Sequence, residues 1–257
     1  MRVDAVRTRL FRPPQDDLWD LLERSLSPLT EETVVAVSSK IVGIAEGRCL
    51  PLSAVDDKDA LIVREAQRYL PRDAVPGRWV LHTISQGMLA PSAGIDESNG
   101  NGYYVLWPED PYQAAAAIWR WLRRRYGLSS VGVVLTDSHS TPLRRGVTGV
   151  ALAYCGFRPL HDYRGRADLF SRRLRVSQSN LADGLAAAAV LVMGEGSERT
   201  PLAVLTGVPG LRFLSRPPSA TARRAALTVD LDEDLYRPFL TSVPWERGGH
   251  GEHGEQP

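Results

Sequence analysis

Three acidic residues in this sequence stand where a carboxylate can do chemistry. Asp96 lies in Ser92 to Asn99 (Ser-Ala-Gly-Ile-Asp-Glu-Ser-Asn), which gathers two carboxylates, two hydroxyls and a carboxamide with no positive charge. A small-Gly-Ile-Asp run predicts a buried strand end that turns sharply and presents Asp96, with Glu97, Ser98 and Asn99 adding oxygens. Asp137 follows the apolar run Val131 to Thr136, and Ser138 places a hydroxyl beside it. Glu195 sits between Gly194 and Gly196, just past an alanine-rich stretch. Oxygen donors of this kind suit hard divalent cations such as magnesium or manganese. The competing reading is three unrelated polar turns, since Asp, Asn, Ser and Gly are the common turn formers.

The matching positive groups are Lys40, Arg144 and Arg145. They are placed to face an anionic substrate or a transferring phosphate; as solvent-facing turn residues they would do neither. Arg164 and Arg166, in Asp162-Tyr163-Arg164-Gly165-Arg166, offer a further anion site. A helix C-terminus carries negative partial charge, so phosphate reaches the Glu195 loop through a cation. The sequence has no Walker A run, no GxGxxG and no trustworthy serine-histidine-aspartate spacing. His82, His139 and His161 are scattered and read as structural.

The elements expected to hold these groups are short. Residues 2 to 11 alternate as a strand, and Gln15-Asp16-Asp17 precede a helical face of Leu18, Leu21, Leu22 and Leu26. Thr33 to Val37 reads as a buried strand, followed by serines placed to cap a helix from Ile41 to Glu46. A helix is predicted from Asp56 through Tyr69, and a hairpin around Gln86-Gly87. Further strands are expected at Tyr103 to Trp107, Val131 to Thr136 (delivering Asp137 at its end), Val147 to Tyr154 and Pro201 to Leu205. Helices are expected at Tyr112 to Tyr126, at Leu181 to Met193 capped by Ser179-Asn180, and within Asp230 to Leu240. Residues 246–257 are mostly Gly, Glu, His and Arg and are expected to be a disordered polar tail.

Length and composition set the outer bounds. With 257 residues, 43% hydrophobic and 24% charged, the chain reads as a soluble globular protein forming one large domain (1–245) or two intertwined smaller ones. A net charge of +1 supplies no global field toward nucleic acid or an anionic membrane, so neither is an expected partner. Cys49 and Cys155 suggest neither a metal cluster nor a disulfide scaffold. The first residues lack a signal peptide's apolar core, and no apolar run reaches membrane-spanning length, so the expected location is cytoplasmic. Strands and helices mix without steady β-α alternation, which favours an α+β fold over a doubly wound sheet.

Taken in order, these motifs identify a resemblance. The residues that carry it begin with Ser38-Ser39-Lys40-Ile41-Val42, Ala45-Glu46-Gly47-Arg48, Ala93 to Asn99 and Thr136-Asp137-Ser138. They continue with Arg145 to Ala151, Asp162-Tyr163-Arg164-Gly165, and Ala182 to Ala189 running into Met193-Gly194-Glu195-Gly196. Spread over nearly the whole chain, they resemble the gamma-glutamyl ligases of the deazaflavin coenzyme F-420 pathway, closest to the branch called folate-metabolism gamma-glutamate ligase. The resemblance implies a CofE-like fold of two intertwined α+β subdomains that pairs as a homodimer. It implies GTP-dependent formation of an amide between a small-molecule carboxylate, F-420-0-like or folate-like, and L-glutamate through an acyl phosphate. It implies one divalent metal, Mg2+ or Mn2+, on Asp96 and Asp137, and a second on Ser138 and Glu195. Nucleotide contacts are implied at Ser39, Lys40, Asn99 and the loop Met193 to Thr200, which includes Gly194, Glu195 and Gly196. Lys40 and Arg145 are the expected catalytic cations.

The chain also departs from that pattern. Ile44 stands where the coenzyme-pathway enzymes usually have a lysine, and Lys40 lies four residues earlier, on the same face of a helix. His139-Ser140-Thr141-Pro142 replaces a usual Gly-Arg-Pro, and Leu10 to Pro14 differs from the family's N-terminal nucleotide contact. These differences bear on the acceptor and on the choice of GTP over ATP. Two other classes compete: a nucleotide- and metal-binding module without ligase activity, and an oxygen-ligand metal hydrolase.

Overall fold

The computed structural model describes residues 1–250. β1 (Arg2–Val6) leads through an irregular stretch to Asp17. The Asp17 carboxylate accepts from the Trp19 and Asp20 N–H groups and so starts α1 (Leu18–Ser25), which buries Leu18, Leu21 and Leu22. β2 (Thr33–Ser38), β-branched and almost wholly buried, runs directly into α2 (Ser39–Ala45). A second group follows: β3 (Cys49–Pro51), α3 (Lys58–Glu65), β4 (Arg68–Leu70), β5 (His82–Ser85), β6 (Met88–Pro91) and β7 (Tyr103–Val105). The chain returns through α4 (Pro111–Tyr126), capped by Asp110 and closed by Gly127 at φ 66°. Then come β8 (Val131–Ser140), β9 (Val147–Cys155), β10 (Leu160–Asp162), β11 (Gln178–Asn180), α5 (Leu181–Met193) and β12 (Leu202–Thr206). α6 (Ala220–Ala225), α7 (Arg237–Leu240) and β13 (Glu246–Arg247) follow.

The main sheet has the order β1-β12-β2-β8-β9, and its one parallel pair is β2 with β8. That pair brings Ser38 opposite Thr136, so α2 starts and Asp137 stands at the same end of the parallel pair. α5 lies so close on β9 that a side chain at Gly149 would strike the Ala186 carbonyl at 2.3 Å. An alanine-rich helix permits that approach. The main core includes Leu21, Val34, Leu135, Ala153, Ala186 and Leu202, and each fully buried Leu or Val contributes about 1.5–3 kcal/mol. A second core of Leu61, Ile62, Ala66, Leu81, Ala93, Ile95 and Leu106 lies in the Cys49 to Leu106 half, beside the sheet β13-β4-β5-β6. The architecture is therefore α+β, as expected. Cys49 and Cys155 are free and buried, and no helix among the described residues is long and apolar enough to cross a membrane.

Several expected boundaries move. α3 stops at Glu65, and Tyr69 belongs to β4, because Arg68–Leu70 pair with β5; the ladder outweighs the local helical pattern. β8 runs on to Ser140 through a bulge at Leu135/Thr136, so the parallel pairing ends at Thr136 while Asp137 stays in the strand, paired with Val150 of β9. Ser38 is the N-cap of α2 but makes no side-chain cap bond. Within Asp230 to Leu240 only Arg237–Leu240 is helical, since four acids crowd residues 230 to 234. Residues 246 to 250, expected as part of a disordered tail, are tied down: Glu246 pairs with Tyr69, and His250 N–H donates to the Ala66 carbonyl. Residues 251–257, the rest of that tail, lie outside the described residues.

Candidate active site

The parallel edge of the main sheet opens into a cleft of about 590 Å³ between the two halves of the chain. Lys40, Asp96, Asn99, Asp137, Ser138 and Glu195 all line it. Ligands collect at carboxyl ends of parallel strands because the loops there can converge without crossing the sheet. Here the first turn of α2 comes from β2, Asp137 comes from β8, and α5 delivers the Gly194-Glu195-Gly196 loop from its C-terminal end.

Asp96 reaches the cleft on a tightly wound turn. Ser92, Ala93 and Gly94 have φ of 51°, 53° and 71°, a left-handed run that costs roughly 1–3 kcal/mol per non-glycine residue. Gly94 has a second reason to lack a side chain, since a Cβ there would overlap the Trp107 ring at 2.0 Å. Asp96 then bridges to Val105 through paired backbone bonds of 2.9 and 2.8 Å. Lys40 Nζ stands 2.5 Å from Asp96 Oδ2 and donates to the Ser98 carbonyl at 2.9 Å. The Ser98 N–H donates to Asp96 Oδ1 at 2.7 Å. Burial alone pushes the Asp96 carboxyl up; the Lys40 ammonium and the Ser98 donors outweigh it and hold the group below its ordinary value. Glu97 turns away, with its carboxylate 3.2 Å from Lys58.

Asp137 is treated differently. Burial pushes its carboxyl up to about 6, and two neutral donors, the Trp107 indole N–H and the Ser138 N–H, only partly oppose this. Asp96 nearby adds to the upward push, while Lys40 pulls the other way. Trp107 is buried, and its backbone carbonyl accepts from Arg48 Nε at 2.8 Å; Arg48 is itself fixed 2.5 Å from Glu65. The sequence reading missed Trp107, which looked like one more apolar residue at a strand end. Its position just before Pro108-Glu109-Asp110 carried no signal of a donor role.

The third wall is the loop after α5. Ser138 Oγ lies 2.8 and 2.7 Å from the two Glu195 oxygens. Asn99 Nδ2 donates across the cleft to the Gly196 carbonyl at 3.0 Å. The loop is braced from inside: Gly196 N–H donates to Glu198 Oε2 at 2.8 Å, and Thr200 Oγ1 donates to the Met193 carbonyl. Met193 and Gly194 line the cleft with Glu195. The opposite wall, Leu10, Phe11, Ile41 and Ile44, is apolar.

Two expected residues are not brought in. Arg145, with Arg144, lies exposed on the turn joining β8 to β9 and does not line the cleft. The added length of β8 carries that turn away from Asp137. Ser39 is 2% exposed, and the neighbours on either side, Ser38 and Lys40, form the wall instead. Among the described residues no three acidic, His or Cys side chains converge as a ready-made metal cage. The two pairs, Asp96 with Asp137 and Ser138 with Glu195, still fit magnesium or manganese. All their donors are oxygens, the half-buried Asp137 carboxylate has only neutral hydrogen-bond donors, and such ions usually take one or two carboxylates plus phosphate and water. Held this way, the cleft suits an anionic ligand carried with cations.

Comparison with known proteins follows this geometry. Residues 5–207 match the family described as F420-0:Gamma-glutamyl ligase. The chain is 35% identical over 240 residues to the coenzyme F420:L-glutamate ligase of Methanopyrus kandleri, covering 86% of this chain and 93% of that protein. Proteins with the same name from Methanothermobacter thermautotrophicus and Haloarcula marismortui are 31% and 33% identical. These matches cover 79% and 83% of this chain and 90% and 92% of the relatives.

Proposed function

The chain belongs to the F420-0:gamma-glutamyl ligase family, and from that premise we propose that it joins L-glutamate to an F420-0-like carboxylate at the expense of GTP, with ATP as the alternative nucleotide. The observation that carries this reading is the convergence of Lys40, Asp96, Asp137 and Glu195 on one cleft at the parallel strand ends. The acceptor follows the named substrate of the relatives; a folate-like acceptor has no counterpart among the three relatives above.

In this reading the acceptor carboxylate attacks the terminal phosphorus of the nucleotide, giving an acyl phosphate and releasing the nucleoside diphosphate. The amino group of glutamate then displaces phosphate. Both partners of the first step are anions, so charge and alignment set the barrier. Asp96 with Asp137, and Ser138 with Glu195, would hold divalent ions, which supply charge neutralisation. Lys40 supplies a fixed cation beside Asp96. The braced loop Met193 to Thr200 and Asn99 hold the phosphate end, and the apolar wall of Leu10, Phe11, Ile41 and Ile44 takes the base.

The test is phosphate release from GTP and from ATP with Mg2+ or Mn2+, with and without L-glutamate and F420-0, alongside mass spectrometry of the products. Release that needs both acid and amine, with a product heavier by one glutamyl residue, is the expected result. Nucleotide binding without release under any combination would replace this reading with the binding-module one, for which Ile44 in place of a lysine is the structural argument.

A further inference from the structure

At the opposite end of α5 from the cleft, about 20 Å away along a 13-residue helix, lies a second, smaller cavity of about 100 Å³. Three arginines line it: Arg158, Arg166 and Arg212. Arg158 and Arg212 are neighbours across a short antiparallel contact; Phe157 bridges Phe213, and the Arg158 N–H donates to the Arg212 carbonyl at 2.9 Å. Like charges placed opposite each other on paired strands are destabilising unless something offsets them. Among the described residues none of the three guanidinium groups forms an ion pair. The one acid in the lining, Asp162, is already committed: Arg164 grips its two oxygens at 2.7–3.0 Å and holds its carboxyl down to about 2.

His161 supplies a separate observation. Its ring stacks on Tyr163 with centroids 4.4 Å apart, and Arg166 covers the Tyr163 ring at 5.4 Å. A Cβ at Gly210 would lie 2.9 Å from His161 Nδ1, so the backbone presses on that edge of the imidazole. The other nitrogen, Nε2, is buried without a hydrogen-bond partner. That nitrogen is closed off from the cavity, so the ring serves the site as wall, while the three arginines are exposed and free to turn toward an anion.

We propose that this cavity binds a small oxyanion, a phosphate or carboxylate group, on Arg158, Arg166 and Arg212, with the His161 ring as part of its wall. The cavity has room for one such group and not for a nucleotide. Planar guanidinium forks match the paired oxygens of these anions. The site is separate from the ligase cleft and independent of the nucleotide and metal assigned there.

The test uses the full chain with EDTA at constant low ionic strength. Inorganic phosphate and L-glutamate are titrated in separate arms against a chloride control, and the imidazole nitrogens are followed by ¹⁵N NMR, with His161→Gln identifying the His161 signals. Phosphate, glutamate or both should move the His161 signals while chloride does not, and the effective arm names the ligand. At 100 times its dissociation constant the anion should shift the folding equilibrium about 100-fold toward the folded state. Arg158→Gln with Arg212→Gln should weaken binding at least 10-fold and so cut that shift to about 10-fold or less. In chloride alone this variant should be as stable as the parent or more so, because it removes a repulsion. An unmoved His161 signal, equal binding by the variant, or a response to chloride matching that to phosphate overturns the proposal. So does a variant that is destabilised in chloride, which would make the arginines structural.

Discussion

Asp96 rides on a strained polar turn and Asp137 on the longest core strand, yet both carboxylates line one cleft, and each is held by different means. Asp96 has a cation, Lys40, at 2.5 Å, and its carboxyl is kept below its ordinary value. Asp137 has only neutral donors and is pushed up to about 6. The turn carries the acid paired with a cation, and the strand carries the acid held by neutral donors alone. An acid fixed in a strand ladder cannot swing to find a cation, so a cation must come to it. That is the arrangement expected of a ligand for an arriving cation, and it separates the acid that anchors from the acid that waits.

The sharpest way to break the comparison is the same substitution at both positions. Asp137→Asn and Asp96→Asn should each lower ligase turnover more than about 100-fold, beyond the loss usual for a residue that only supports a metal ligand. Stability should move in opposite directions. At pH 7.5 without metal, Asp137→Asn removes a buried charge and raises unfolding free energy by up to about 3 kcal/mol. Asp96→Asn strands Lys40 and costs up to about 1 kcal/mol. Chemical denaturation of both variants reads the signs directly; two shifts in the same direction would erase the distinction.

Next in size is Trp107→Phe. It removes the indole donor to Asp137 while keeping an aromatic ring against Gly94. Mn2+ affinity, measured by titration of the apo-protein, should fall about 10–100-fold. Trp119→Phe is the control: Trp119, as buried as Trp107, donates its indole N–H at 2.9 Å to a backbone carbonyl, that of Val131, and not to a carboxylate. It should cost stability and leave Mn2+ affinity unchanged. Equal losses from both variants would reduce Trp107 to packing.

The pH dependence follows from the same contrast. The folded pKa of Asp137 lies above its ordinary value of 3.8, so between about pH 4 and 6 the folded chain keeps a proton that the unfolded chain has released. Its contribution to stability is therefore lost as pH rises through that window. The lowered pKa of Asp96 works the other way: its contribution is present above about pH 4 and lost as pH falls. The difference in unfolding free energy between the parent and Asp137→Asn, followed from pH 4 to 7 in EDTA, should widen as pH rises. Saturating Mn2+ should reverse that trend, because the ion stabilises the ionised form.

Much of this was legible before any coordinates. The run from Ser92 to Asn99, the acid after the best apolar strand and the acid between two glycines all pointed to oxygen chemistry, and all three line the cleft. The α5 cap at Asn180 and the hairpin at Gln86-Gly87 were also readable, because capping and left-handed turns are local. What could not be read depended on partners distant in sequence. Tyr69 left its helical pattern for a ladder with β5, and β8 outran its apolar stretch through a bulge against β9. Trp107 became a donor only because the β2–β8 pairing set Asp137 in front of it. Arg145 is near Asp137 in sequence, but a strand four residues longer than its apolar run turns that proximity into distance.

The smallest effect concerns Ile44, where the resemblance drawn from the sequence implies a lysine. Ile44 is 2% exposed and packs with Cys49 and Val105 while its edge faces the cleft. Lys40, one helical turn earlier, already occupies the place beside Asp96 that a cation at 44 would serve. If Ile44 is only wall, Ile44→Val should cost about 0.5–1.5 kcal/mol of stability and leave turnover within about twofold. Lys40→Met should then cost far more turnover than stability, since the methionine keeps most of the side chain's length without its charge. Comparable turnover losses in the two variants would mean that the apolar wall reads the substrate as closely as the cation does. Asp96 would then owe its low pKa to Lys40 but its role to the shape around it.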